Sequence, residues 1–386
     1  MQKFFYYCII VCLSFFSIQC SAPSQQESST KSILKVGVFE GYGGAQTCIW
    51  ESVASILLDE DMEVSTFTTA DIAAGVLDTL DAIIIPGGSG SKQYLNMGAE
   101  NRKRIVDFVA NGGGAVGICA GAYFFSDTPG YACIGINGLQ AIDIEHDNRG
   151  HGIAKFTLTQ AGEKLLPEIA DRDTSYIMYY EGPVFVASPT SNIKAETLAI
   201  MESDVHEEGN APANMTNGKP LISINEYGEG RVCSIIAHPE GTPGMAWIIP
   251  RMIRWTLNQP IKSYSEAVVQ PSLFEKEILM TQQLLEEEAI QYKQLLHGTP
   301  EEKIVALEWL HTHLSWDAKR WIQGLLFDED PQIRCQAAAY IATTHYLPYL
   351  KDLKVATAQE KDPIFQEELQ IHLDKLLQLL PTPKQK

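Results

Sequence analysis

In the stretch 113–126, GGAVGICAGAYFFS, an apolar run ends at Cys119 and small residues follow at once. Gly117 stands two positions before the cysteine and Gly121 two after it. A strand that stops sharply and turns into a helix holds its turn residue in a strained, exposed pose. Glycines on both sides remove side chains that would clash there. GICAG is thus the cysteine form of a nucleophile elbow. The amide dipoles of the incoming helix would face the sulfur and favour thiolate, the nucleophilic form. The next amide, that of Ala120, is in place to help hold an oxyanion. Without such chemistry, Cys119 would be an ordinary small buried residue.

A cysteine nucleophile needs a base, usually histidine, oriented by a third group. Of nine histidines, His238 is the one that directly follows a buried strand of the same region, in the sequence HPE. Glu240 comes two residues later, and in an extended turn both side chains point the same way, within reach of each other. Gly87 and Gly88 follow another apolar run, AIIIP, and are placed to offer further amides to an oxyanion. The candidate catalytic set is Cys119, His238 and Glu240. Gly87, Gly88 and Ala120 are expected around the oxyanion, and Tyr180 and Glu181 as a wall of the pocket.

Other polar residues carry less. EHDNRGHG (145–152) concentrates His146, Asp147, Arg149 and His151, which reads as a solvated loop before it reads as pocket lining or a metal site. Glu40 ends the first strand and is a candidate only through that position. Tyr179, beside Tyr180, fits a core strand as well as a cleft wall. His311 and His313 fall on a helix and are expected at its surface. Three of the eight cysteines (Cys8, Cys12, Cys20) lie in the leader, and Cys48, Cys119, Cys133, Cys233 and Cys335 are scattered with no CxxC pair, so neither a metal nor a cofactor is expected.

These residues need a frame. From Ile33 to about Pro260, short apolar runs alternate with helical spacing: 33–39, a helix at 48–60, 80–90, a helix at 99–113, 114–119 and 231–237. That alternation predicts a parallel sheet covered on both faces, with ligands outside the carboxyl ends of its strands. Three glycine-rich turns fall at such ends: 41–44, 87–90 and the Cys119 turn. A long amphipathic helix is expected over 271–296. After it, Asp330-Pro331 and Asp362-Pro363, about 32 residues apart, each look like a capped helix start. Stacked pairs of this kind resemble HEAT-type repeats, whose usual work is binding proteins.

The chain has 386 residues, 45% of them hydrophobic, and a formal net charge of −19. Length and apolar content support two domains. The acidic balance, with no basic cluster, argues against nucleic acid or an anionic membrane surface as partner. Residues 1–20 read as a signal peptide: Lys3, then the apolar 4–18. The leader ends in SIQC, and Cys20 resembles the lipidated cysteine of a bacterial lipobox, although Gln19 stands where a small residue is usual. Residues 21–32 read as a tether. Export to the periplasm or cell envelope follows, with membrane attachment only through the leader or a lipid. The glycosylation sequon Asn214-Met215-Thr216 is read as chance. The expected division is 1–20 leader, 21–32 tether, 33–260 α/β domain, 261–300 linker helix and 301–380 helical repeats.

Pro86-Gly87-Gly88, Gly117-Ile118-Cys119-Ala120-Gly121 and His238-Pro239-Glu240 together resemble the class I glutamine amidotransferase-like superfamily. More narrowly, GICAGAYF, YYEGPVF (179–185) and HPE look like the N-terminal domain of biotin–protein ligases. Glu181 and Pro183 stand where that pattern has an amide and a glycine. The resemblance covers about 33–258 and implies a flavodoxin-like three-layer sandwich, followed here by an all-α domain. It implies a Cys119–His238–Glu240 triad attacking an amide or related acyl carbon. No Gly-Arg-Gly-Arg-type adenylate loop is found, so ligase activity is not expected. Two readings follow: an exported cysteine amidohydrolase acting on a small amide or peptide-like substrate, or a non-catalytic envelope protein binding a small ligand in the cleft and a protein through the repeats. A structural lipoprotein with a vestigial cleft is a third.

Overall fold

Four short strands make one half of the sheet, and the two nearest its centre, Ala82–Ile85 and Gly114–Ile118, are apolar and buried throughout. Strands β1 (Leu34–Phe39), β2 (Met62–Phe67), β3 (Ala82–Ile85) and β4 (Gly114–Ile118) are linked by helices α1 (Gln46–Ile56), α2 (Thr69–Ala73) and α3 (Gly90–Ala110), with α4 (Ala120–Phe125) after β4. The structure is a computed structural model and describes residues 33–381 apart from 147, 209 and 210. The leader, the tether and Cys20 lie outside the described residues. Ile83, Ile84 and Ile85 are each wholly buried, which is why this strand is a continuous apolar run rather than an alternating one. Each such side chain contributes roughly 1.5–3 kcal/mol by leaving water.

The remaining strands are β5 (Leu139–Ala141), β6 (His151–Leu158), β7 (Ser175–Tyr180), β8 (Phe185–Ala187), β9 (Glu196–Met201), β10 (Pro220–Tyr227), β11 (Gly230–Ile235) and β12 (Ile278–Leu279). The main sheet runs β12-β6-β9-β10-β11-β4-β3-β1-β2, with β7 also paired to β6. β2, β1, β3, β4 and β11 are parallel. From β10 outward, the pairing is antiparallel. The α/β sandwich expected from the sequence is therefore present, with a mixed rather than wholly parallel sheet. Strand order reverses between β1 and β3, so the ligand-binding crevice of this architecture lies at their carboxyl ends.

Helices α5 (Gln160–Leu165) and α6 (Ile248–Thr256) complete the α/β part. The helix expected over 271–296 is shorter: a 3₁₀ turn at Pro271–Leu273 and the edge strand β12 come first, and α7 spans Gln282–His297. Ile278 and Leu279 bind the edge of β6 before Thr281 caps α7, so sheet pairing takes the residues that helical periodicity had claimed. α8 (Pro300–Thr312), α9 (Lys319–Leu325), α10 (Pro331–Thr343), α11 (Leu350–Gln359) and α12 (Pro363–Leu377) follow. Asp330 and Asp362 cap α10 and α12 as their sequence implies, accepting from the amides of Gln332 and Ile364.

These helices share a core with the sheet. Leu307, Leu310, Ile322 and Ile341 belong to the same buried cluster as Val36, Ile84 and Ile118. From Ile33 onward, the chain forms one compact unit. Among the described residues, no helix is long and apolar enough to cross a membrane.

Candidate active site

Cys119 leaves β4 with φ 50° and ψ −108°, a backbone geometry a non-glycine residue holds only under constraint. Its amide donates to the Ile235 carbonyl on β11 (2.7 Å), and its carbonyl accepts from Ala122 and Tyr123 (2.9 and 3.1 Å). Strand pairing on one side and the first turn of α4 on the other thus fix the elbow. Gly121 is required here, because a Cβ at that position would lie 1.9 Å from the Ile85 carbonyl oxygen. The Cys119 sulfur lies 3.5 Å from the Tyr180 carbonyl oxygen.

His238 follows β11, the parallel neighbour of β4. Its amide donates to the Met178 carbonyl (2.8 Å), and the Thr242 hydroxyl donates to its carbonyl (2.7 Å). Pro239–Gly241 form a single 3₁₀ turn rather than the extended turn expected, because proline fixes the first helical position. The turn still delivers the expected contact: His238 Nδ1 and Glu240 Oε1 are 2.8 Å apart. A carboxylate only accepts, so Nδ1 carries the proton and Nε2 is the nitrogen left for another partner. Burial alone would push the His238 imidazolium down, but the Glu240 charge and the adjacent Cys119 override it and hold it well above the usual histidine range.

A second thiol flanks the same ring. Cys48, in the first turn of α1, lies 4.0 Å from His238 Nδ1 and is wholly buried. Burial pushes its thiol up, against the opposing pull of His238. Gly87 packs behind both groups: a Cβ there would come within 2.8 Å of His238 Cε1 and 2.9 Å of Cys48 Sγ. Donor atoms of Cys48, His238 and Glu240 all lie within 4.8 Å of one another. The Nδ1–Oε1 hydrogen bond already engages two of the three, which is the arrangement that orients an imidazole.

Cys119 and His238 open onto one cleft of about 430 Å³ at the carboxyl ends of the parallel strands. Gly88 and Ala120 line it, as do Tyr180 and Glu181, whereas Gly87 is buried behind it. Burial raises Tyr180 to about 12, keeping its hydroxyl neutral. Tyr179 turns the other way and is core: its hydroxyl donates to the Gly182 carbonyl and accepts from Arg149, each at 2.7 Å.

Arg149 is wholly buried and paired with Asp143, which also bonds Tyr123, so the expectation of a solvated loop over 145–152 is corrected there. A buried charge needs a partner, and the polar run supplies one end of a buried ion pair. His151 lies in β6, stacked on Tyr180 at 4.6 Å and 3.0 Å from Glu208. His146 lies in a 3₁₀ turn, and Asp147 is outside the described residues. Glu40 is exposed and does not line the cleft. His311 and His313 are partly buried rather than at the surface, packed on Tyr340 (5.4 Å) and Trp309 (3.9 Å). The five described cysteines are all free.

The sequence reading missed Cys48, Glu51, Trp316 and Lys319. Cys48 and Glu51 had a signal, since they lie on the helix after the first glycine-rich strand exit. Trp316 and Asp317, from the segment joining α8 and α9, and Arg320, in the first turn of α9, line the cleft, and nothing local in that sequence announces it.

The architecture is an α/β arrangement of a mixed central sheet with helices, followed by a C-terminal helical region. Residues 34–135 match the family described as biotin-protein ligase, N terminal, which supports that family for this part of the chain. No curated protein matches. Among solved structures, the chain is similar to the glutaminase domain of Trypanosoma brucei CTPS with bound acivicin (10% identity, TM-score 0.39, 60% of this chain and 98% of that one). It is also similar to a cytoplasmic protein from Salmonella typhimurium (15%, 0.36, 58% and 97%). A third is the β-galactosidase from Bacillus circulans sp. alkalophilus (16%, 0.35, 64% and 33%), of which this chain spans a third.

Proposed function

We propose that this protein is a cysteine-dependent amidohydrolase-like enzyme with Cys119 as nucleophile, His238 as base and Glu240 as the group orienting it. The observation that carries the reading is His238 itself: Glu240 clasps Nδ1 on one side, and the strained Cys119 shares the cleft on the other. The Cys119 thiolate attacks the acyl carbon of an amide, and the carbonyl π pair moves to oxygen beside the Gly88 and Ala120 backbone. Collapse expels the amine, which takes a proton from His238, and leaves a thioester. Water, deprotonated by His238, then adds to the thioester, releasing the carboxylic acid and restoring the thiol. A cleft of this volume suits a small amide or peptide-like substrate. The leader over 1–20 supports export to the cell envelope, with Cys20 as lipid attachment point.

A second reading is favoured by the aromatic wall. Tyr180 and Trp316 sit 5.1 Å apart over the cleft, and a wall of this kind also suits a protein that binds a small ligand without turning it over. The C-terminal helices would then serve a protein partner.

The test is the iodoacetamide alkylation rate of the mature protein against pH, beside Cys119→Ser and His238→Ala. The catalytic reading expects one fast site with a midpoint below about 8.5, lost in both variants. An ordinary thiol rate in the wild type would sink it and leave the binding reading.

A further inference from the structure

Behind Glu240 lies a second buried carboxylate. Glu51, on α1, has an exposure of 1%, and its Oε2 has no hydrogen-bond partner, as is true of Glu240 Oε2. Glu51 Oε1 is held by the Lys319 ammonium at 2.6 Å, and Lys319 is itself 2% exposed. Lys319 begins α9, so it reaches the triad from the C-terminal helices. Its ammonium also lies 4.3 Å from the centroid of Trp316, whose ring stands 4.7 Å from the His238 imidazole. Tyr349 fixes the lysine's backbone, its hydroxyl donating to the Lys319 carbonyl at 2.6 Å.

We propose that Lys319 is a positioning residue for the triad, neutralising Glu51 behind Glu240 and making α9 part of the site. The inference rests on the amidohydrolase reading of Cys119, His238 and Glu240.

Two carboxylates in a dry pocket disfavour each other's ionisation unless a cation compensates one of them. Glu240 must stay anionic to hold Nδ1–H and to stabilise the imidazolium. Burial raises Glu51 more than Lys319 lowers it, and Glu240 adds to the rise. Glu51 therefore tolerates its place only with the lysine present. His345 lines the same cavity as Glu51 and Glu240, and burial lowers it to about 4, so it stays neutral. Cys48 faces His238 from α1. Tyr340, Tyr346 and Tyr349 face Glu51 from α10 and the turn after it, and burial raises each, so they stay neutral at physiological pH. Asp317 and Arg320 pair with each other at the cleft rim (3.3 Å) and are half exposed, so water screens them. Glu181 stands at the same rim. Lys319 is thus the buried cation paired directly with Glu51.

The sign follows from Coulomb's law. Removing a buried cation makes the local field more negative, so thiolate forms at higher pH and imidazolium persists to higher pH. Removing the Glu51 charge does the opposite.

The test uses the full chain in wild type, Lys319→Met, Lys319→Arg, Glu51→Gln and the pair Lys319→Met/Glu51→Gln. Two readouts are taken: the Cys119 alkylation midpoint and the His238 ring titration by NMR. Lys319→Met should slow alkylation at neutral pH by about tenfold and move both midpoints up by about one unit. Lys319→Arg should keep the wild-type values, and the neutral pair should return towards them. Glu51→Gln alone should move both midpoints down. Should Lys319→Met fail to fold, Glu51→Gln and the neutral pair decide. Unmoved midpoints beside a lowered melting temperature would overturn the proposal, as would a neutral pair that stays as slow as Lys319→Met. If wild-type Cys119 shows no fast phase, the amidohydrolase reading fails, and this inference falls with it. An unmoved His238 titration beside a fast wild-type Cys119 fails Lys319 alone.

Discussion

The Trp316 ring stands 4.7 Å from the His238 imidazole, with the planes at 60°. A residue of the segment joining α8 and α9 thus forms one wall of the histidine's pocket, and Tyr180, 5.1 Å from the same indole, forms the next. Together they exclude water from the ring that would carry the proton. Trp316→Ala opens that wall. Loss of the two tilted ring contacts and of half-buried aromatic area should cost about 2 kcal/mol in stability. Alkylation of Cys119 by iodoacetamide should become less dependent on reagent size, measured by comparing it with a bulkier maleimide. Equal size discrimination in wild type and variant would show that Trp316 does not gate the cleft.

The His238–Glu240 bond has a pH signature. The histidine is held well above its usual range, so its contribution to stability is fully present below about 6.5, the unfolded value. That contribution fades as pH rises through the higher folded value. Glu240→Gln keeps an acceptor for Nδ1–H but removes the charge, and should cost about 1–2 kcal/mol near pH 6. The melting-temperature gap between wild type and variant should therefore narrow towards alkaline pH. A gap that widened with pH would contradict the assignment. The same variant should label at Cys119 about a hundredfold more slowly at neutral pH.

Space is as decisive as charge at two glycines. Gly121→Ala drives a methyl into the Ile85 carbonyl, which is backbone and cannot yield, so the elbow must shift and folding should be lost or weakened by more than about 3 kcal/mol. Gly87→Ala meets His238 and the Cys48 sulfur instead, both side chains with some freedom. It should fold, at a cost of about 1–3 kcal/mol, with the imidazole displaced. Urea titration separates the two: a similar, small loss for both would refute the packing account.

Much of this site was legible because strand ends carry it. Cys119, His238 and the 87–90 turn each sit where an apolar run stops, and parallel topology gathers such ends on one edge. Glu240 was legible through its spacing from His238. Trp316 and Lys319 were not, because they reach the site through packing between α8, α9 and α1, which leaves no local pattern. Arg149 misled for the opposite reason. A run of charges reads as solvated, and the burial of Arg149 rests on the nearby Asp143 together with Tyr179 and the Gly182 carbonyl, which only the fold brings to it. The antiparallel strands from β6 to β10 carry mixed burial, and the edge pair Ile278–Leu279 is too short to compete with helical spacing in sequence.

That buried Arg149 is predicted to matter for stability more than for chemistry. It holds Asp143, Tyr179 and the Gly182 carbonyl beneath the cleft floor. Arg149→Met leaves Asp143 buried without its cation and should cost about 3–5 kcal/mol. Arg149→Met with Asp143→Asn should recover part of that loss. No recovery in a chemical denaturation cycle would mean the two side chains act independently.

Two thiols flank His238, and they should behave differently. Burial dominates Cys48 and pushes its thiol up, so at neutral pH it stays protonated and enclosed. Both cysteines border the cleft, but Cys119 sits at the strained turn and is the more exposed of the two. Cys48→Ala removes one sulfur at a cost of about 1 kcal/mol or less and should leave the fast alkylation phase intact. Peptide mapping of briefly labelled wild type should find the modification on Cys119. Fast label on Cys48 instead, or loss of the fast phase in Cys48→Ala, would make the α1 cysteine the nucleophile. Its separation of 4.0 Å from His238 Nδ1, the nitrogen already given to Glu240, argues against that outcome, since the ring would have to release the carboxylate to take a proton from it.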